Sequence, residues 1–294
     1  MKSLQVQIRR EFWEHRSLWI APLAVAAALL AAAAAAAFGH SLLVHVDLND
    51  GPTSAAGGAP LPLFDFLQSG LSIAFYVTAA ILASIYFLDC LYGERRDRSI
   101  LFWKSLPVSN TQTVLVKFLV GLVILPLGTF LLAALTGVLG SAILALRNHA
   151  AIHADLPVWN TMTWLRLQAV MLYTLIATLC WYAPYAAYLM LASAWARRSP
   201  YVWALIPPIL LAILERMIFG TNYVSHIIGR SFSELMNLAF HANAQVSLPG
   251  RSRLISSSPD PAALLASPQL WLGLAAAAMM LALAIRLRRY RDDS

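Results

Sequence analysis

Apolar residues fall into six long runs separated by polar stretches, and the lengths of these runs decide what each can be. Ser17 to Phe38, Leu71 to Leu91, Thr113 to Leu146, Trp164 to Ala196, Tyr201 to Phe219 and Gln269 to Ile285 are each long enough to approach or exceed a crossing, since a hydrocarbon core takes roughly 20 helical residues. The third run, of 34 residues, exceeds one crossing, and Pro126 with Gly121 and Gly128 marks where it would kink. Pro184 interrupts the fourth run, while Pro207 and Pro208 lie inside the fifth, whose far end carries Glu215 and Arg216. Ahead of the first run, Leu4, Ile8 and Phe12 recur one helical turn apart with Trp13 beside them and Lys2, Arg9, Arg10 and Arg16 around the rest of the helix. That pattern predicts a helix over residues 1 to 16 lying in the membrane interface. A cleaved signal peptide is the rival for the first run, but the run is longer than the usual signal core of roughly 7–15 residues.

Composition agrees: 60% of the 294 residues are hydrophobic and 12% charged, about half the roughly 25% charged residues of a soluble domain. The expected fold class is an all-α integral membrane protein with six transmembrane helices in a single transmembrane domain spanning 1–294. The segment between spans two and three, Asp89 to Phe118, concentrates charge in Glu94, Arg95, Arg96, Asp97 and Arg98. Ile100, Leu101, Phe102, Trp103 and Leu106 follow with Lys104 among them, an amphipathic piece too short to span and stopped by Pro107. Ser109 or Asn110 would cap the next helix. Residues 220–268 form a long polar segment whose Ile227, Phe232, Leu235, Met236 and Leu238 would make short interfacial helices.

Positive charge fixes the expected orientation. With the N-terminus inside, fifteen of the 21 Lys and Arg fall on inner segments, and the outer side holds Arg147, Arg166, Arg216, Arg230, Arg251 and Arg253. Both termini are therefore expected in the cytoplasm. The net charge of +7 sits at the ends of apolar runs rather than on one polar face, which argues against nucleic acid as a partner. Cys90 and Cys180 lie in or beside apolar runs without metal-ligand spacing. His149 and His153 share one helical face, yet no cysteine or fixed carboxylate accompanies them, so no metal is expected.

The middles of the spans are nearly free of ionisable residues, so no coupling-ion site is evident. Gly-Lys, which a phosphate-binding loop needs, never occurs, and neither a Gly-x-Ser-x-Gly elbow nor a His-Glu-x-x-His pair appears. A catalytic site is not expected on this chain. Most aromatics near span ends suit interfacial anchoring, whereas Trp181, Tyr182, Tyr185 and Tyr188 lie in mid-span and are the candidate lining of an amphiphile path.

Taken together, Arg9-Arg10-Glu11-Phe12, the six runs, the large segment before the last run, and Gly93-Glu94-Arg95-Arg96 through Leu106-Pro107-Val108-Ser109 to Val116-Lys117 resemble the membrane subunits of ABC transporters of the second exporter type. The resemblance implies a translocation path formed as a homodimer or with a homologous permease. It also implies a separate ATP-binding cassette subunit that carries ATP and Mg, and a place in the bacterial cytoplasmic (inner) membrane. By the same resemblance Ser99 to Leu106 would be the coupling helix, Glu94, Arg95, Arg96 and Arg98 would join its contact with the ATPase, and residues 4 to 16 would be the connecting helix. A membrane anchor or sensor that recruits a cytoplasmic partner without transport is the alternative.

Overall fold

The computed structural model describes residues 2–38, 63–97, 109–150, 161–196, 198–221, 235, 240–243 and 256–290. Helix α1 is Lys2–Glu14, α2 Ser17–Phe38, α3 Leu63–Asp89, α4 Tyr92–Arg96 and α5 Asn110–Leu119. A π-helical segment, Val120–Ile124, joins α5 to α6 (Leu125–Ala150); α7 is Thr161–Trp195, α8 Pro200–Phe219, α9 Pro261–Ala266 and α10 Pro268–Tyr290. Six helices are long and apolar enough to cross a membrane, with α5, the π segment and most of α6 counting as one, so the chain fits a multi-pass transmembrane protein. The described residues are almost all helical, as expected, with one small addition. In the segment between α8 and α9, Phe240–Asn243 (β1) pairs antiparallel with Ser256–Pro259 (β2), Phe240 opposite Pro259. A Ser-rich strand ending in Pro suits a two-stranded ribbon, where the missing proline N–H costs no ladder bond.

The spans run alternately, and their contacts identify one end of the bundle where α1, the start of α2, the end of α3, α4, the start of α5, the end of α7, the start of α8 and the end of α10 meet. The main core sits toward this end: Leu18, Phe87, Val114, Val120, Ala187, Met190, Leu281 and Ala284 are buried together, with Ile8 and Phe12 of α1 packed against them. Helix α1 forms where expected, and Ile8 and Phe12 are the residues of its apolar stripe that meet the bundle. These two cover the protein core, while among the described residues Val6 and Trp13 are exposed, with the Arg9 guanidinium 5.5 Å over the Trp13 ring. Leu4 lies in α1. A second cluster at the far end gathers Ala177, Leu235, Leu264 and Leu270. Helix α8 is the least covered span, touching α3 and α7 mainly through Ala204 against Leu88 and Ala192.

Local chemistry explains the breaks. Ser109 caps α5 by accepting from the Gln112 backbone N–H at 3.1 Å, as its sequence position suggests. The third run changes its winding just before Pro126, which has no N–H to give, where the π segment Val120–Ile124 separates two α-helical stretches. Gly121 lies in that segment because α3 comes too close for a side chain: a Cβ there would sit 2.6 Å from Phe87 Cζ and 2.9 Å from Tyr86 Cδ1. Helix α8 starts on Pro200 and ends at Gly220, whose φ of 64° is the left-handed stop that glycine adopts freely.

Candidate functional site: a buried charge cluster at the root of the bundle

Glu11 lies between Ile8 and Phe12 on the inward stripe of α1, so a carboxylate is carried into the core with the apolar residues around it. Lys117 does the same on α5, one turn from Val114 and from Gly121, and has no exposed surface at all. The two meet: Lys117 Nζ donates to Glu11 Oε1 at 2.8 Å and to Oε2 at 2.9 Å, and the Tyr86 hydroxyl of α3 donates to Glu11 Oε2 at 2.9 Å. His15 closes this side, its ring edge-on to Tyr86 with centroids 5.0 Å apart.

Glu94 is the second centre. The turn at Cys90 and Leu91 redirects the chain from α3 into α4, and Glu94 points back into the bundle rather than outward; it is 6% exposed. Three cations from three helices surround it: Arg10 Nη2 of α1 at 3.0 Å, Lys117 Nζ of α5 at 3.2 Å and Arg288 Nη2 of α10 at 2.8 Å. Arg10 also reaches the half-exposed Glu14 through Nε at 2.6 Å. The cluster thus balances three cations against three carboxylates, two of them buried. Taking ions out of water costs several kcal/mol each in round terms, and only such mutual pairing offsets it. The pairing therefore fixes how α1, α4, α5 and α10 sit against one another.

Two groups of the cluster outside the spans have displaced proton affinities. Burial opposes the charge on Arg10, but Glu14, Glu94 and Glu11 outweigh it and raise its pKa further above the ordinary value. For His15, burial and then the positive charge of Lys117 lower the pKa below 6.5 against the weaker pull of Glu11, Asp89 and Glu14. Glu11, Glu14 and His15 place their ligand atoms within 4.8 Å of one another, but the two carboxylates are already engaged by Lys117 and Tyr86 and by Arg10.

Beside the cluster, the α3–α4 corner is tied to the end of α7. Ser193 Oγ, fully buried, accepts from the backbone N–H of Leu91 at 3.2 Å and of Tyr92 at 3.0 Å. Arg95 donates to the carbonyls of Ser193 and, at 3.1 Å, Ala196, satisfying the end of that helix and setting a positive charge at its negative pole.

The residues expected at a partner surface thus divide. Glu94 is turned inward and Arg95 is spent on α7, while Arg96 is exposed and paired with Asp97 at 3.0 Å. Arg98, Ile100, Leu101, Phe102, Trp103, Lys104 and Leu106 lie outside the described residues. The aromatic cluster of α7 does not converge on one space: Trp181 and Tyr182 pack toward Leu235 and Leu264, Tyr185 is exposed at 5.5 Å from the Tyr182 ring, and the Tyr188 hydroxyl donates to the Ala204 carbonyl of α8 at 2.8 Å. Glu11, Arg10 and Arg288 were not expected as partners of Glu94 and Lys117. The available signal was an acid on the apolar stripe of α1 and a lysine on that of α5, two misplacements of opposite sign. Comparison with known proteins finds no matching family model, no similar curated protein and no similar solved structure.

Proposed function

We propose that this chain is the membrane subunit of an ATP-driven ABC transporter, coupled through residues 98–108 to a separate ATP-binding subunit. The observation that carries this is the anchoring of both ends of that segment in one buried cluster: Glu94 of α4 on one side and Lys117 of α5 on the other, joined to each other at 3.2 Å and to α1 and α10. A push on the segment is then received by spans two, three and six and by α1 as one body, which is what converting a partner's motion into a tilt of spans requires. Glu94 acts in this scheme by positioning, and the partner contact falls to Ile100, Leu101, Phe102, Trp103 and Lys104. The end of the bundle that holds α1 also holds most of the described Lys and Arg, which supports placing it, and both termini, in the cytoplasm. Two copies, or this chain with a homologue, would enclose the path.

The test is co-purification from the native host under gentle detergent conditions. Wild type is expected to bring an ATP-binding subunit with it, and a Phe102→Ala, Trp103→Ala variant to lose that subunit while keeping the wild-type melting temperature. Recovery of no ATPase with wild type defeats the proposal. Recovery of an ATPase whose turnover is unchanged by the membrane subunit replaces the transporter with a non-transporting anchor.

A further inference from the structure

A cleft of about 420 Å³ opens at the same end of the bundle between the end of α3, α4 and the start of α8, apart from the charge cluster. Ile85, Asp89, Tyr92, Arg96, Arg198 and Tyr201 line it, and its volume falls in the roughly 300–1,000 Å³ range of small-molecule sites. Tyr92 organises the floor. Its hydroxyl donates to the backbone carbonyl of Arg198, and the Arg96 guanidinium stands 6.0 Å over its ring, so one side chain ties the Arg198 backbone to the Arg96 side chain. Asp97 takes the Nε of Arg96 at 3.0 Å, and the guanidinium carries two further nitrogens that can donate. The first turn of α8 adds its positive pole: Pro200 occupies the first helical position, and Ser199 makes no side-chain cap to the helix.

What lies next to the cleft narrows the ligand. On α3, Ile73, Val77, Ile81 and Ile85 are exposed at every fourth position, a ridge that runs along the span and ends in the cleft wall. On α8, Tyr201, Leu205 and Ile209 are exposed at the same spacing along with most of that helix's other apolar residues, and the two helices touch at Leu88 and Ala204. A polar cleft continuous with two apolar ridges matches an amphiphile with a compact anionic head and acyl chains. We infer that the cleft binds one phospholipid of the leaflet on the α1 side, its phosphodiester on Arg96 and Arg198 and its chains along the α3 and α8 ridges. Arginine suits this because its planar fork meets phosphate oxygens two at a time. Asp89 selects among headgroups. A carboxylate in the same cleft as the two arginines accepts from an ammonium or hydroxyl, so ethanolamine and glycerol headgroups fit, whereas choline has no donor to give. The assignment needs the chain to be in a membrane but not to transport anything, so it stands apart from the proposed function.

The full chain in detergent, titrated with phosphatidylethanolamine, phosphatidylglycerol and phosphatidylcholine of matched acyl chains and followed by native mass spectrometry, tests it. The first ethanolamine or glycerol lipid is expected to bind roughly tenfold tighter than the choline lipid, a ratio equal to the loss of about one charge-assisted hydrogen bond. Arg96→Ala with Arg198→Ala should abolish tight binding of all three, and Asp89→Asn should remove the discrimination against choline while leaving the phosphate contact. Both arginine side chains are at the surface, so an unchanged melting temperature in the double variant shows that the fold is intact. Equal binding of the three lipids by wild type, or unchanged binding by the arginine variant, means annular lipid only and overturns the inference. Displacement by water-soluble glycerophosphoethanolamine at the same concentration as the intact lipid also overturns it, because the chains would then contribute nothing.

Discussion

Removing the ammonium of Lys117 while keeping its volume separates charge pairing from packing. Lys117→Met leaves an unbranched chain of similar length, so little cavity is expected. What changes is Glu11. Its carboxylate now has two contacts of 2.8 and 2.9 Å to Lys117 and one of 2.9 Å to Tyr86; in the variant only the Tyr86 contact remains among the described residues. Glu94 by contrast keeps Arg10 and Arg288. Breaking a buried pair from one side costs about 3–5 kcal/mol, so the variant should lose on the order of 10 °C in apparent melting temperature. Adding Glu11→Gln removes the stranded charge, and the double variant should recover part of the loss, a coupling of roughly 0.5–3 kcal/mol. Arg288→Met should cost less than Lys117→Met, because it strands no carboxylate. Intrinsic fluorescence of the nine tryptophans in detergent, followed on heating, reads all four proteins. A Lys117→Met melting temperature within about 2 °C of wild type, or a double variant no more stable than the single, refutes the electrostatic account of the cluster.

Gly121→Ala places a methyl group 2.6 Å from the Phe87 ring, and the overpacking should cost about 1–3 kcal/mol, offset by at most about 1 kcal/mol of helix propensity. Phe87→Leu in the same chain should restore stability, and a Gly121→Ala protein that melts with wild type would show that α3 can shift freely. His15 sets a pH dependence whose sign follows from its lowered pKa: the unfolded chain takes up the proton near 6.5 and the folded chain only at lower pH. Its neutral form therefore contributes stability that is complete above about pH 6.5 and is lost as pH falls through the window below it. Melting temperatures between pH 7.5 and 5.5 should fall more steeply for wild type than for His15→Phe, and parallel curves would exclude His15 as the source.

The six spans were legible because length and hydropathy alone determine a crossing helix, and the cap at Ser109 because one hydroxyl beside a helix start has few other uses. The inward face of α1 was not. Ile8 and Phe12 form the same stripe whether the neighbour is lipid or protein, and only tertiary packing tells the two apart. Glu94 shows a deeper limit. Charge in a short segment between two spans reads as surface, and a carboxylate is turned inward only when cations from elsewhere are waiting for it. Two of those cations, Arg10 and Arg288, lie more than 80 positions away in the chain, and Lys117 stands in the next span, so no local pattern announces them. The strand pair escaped because Ser-rich stretches carry no alternation of apolar and polar residues to mark a ladder.

The π segment gives the third span two separately phased halves. A π turn holds one residue more than an α turn, and each residue advances a helix by about 100°, so the stretch before Val120 and the stretch after Ile124 look in directions that an unbroken helix would not combine. The early half presents Lys117 to the carboxylates of α1 and α4, and the later half presents Ala133 to Ala26 of α2 and Phe75 of α3. One surplus residue thus lets a single crossing obey two neighbours with different demands, one electrostatic and one steric. Its loss would leave the length of the span almost untouched and swing the lysine out of alignment with Glu11, a fault that hydropathy would never register.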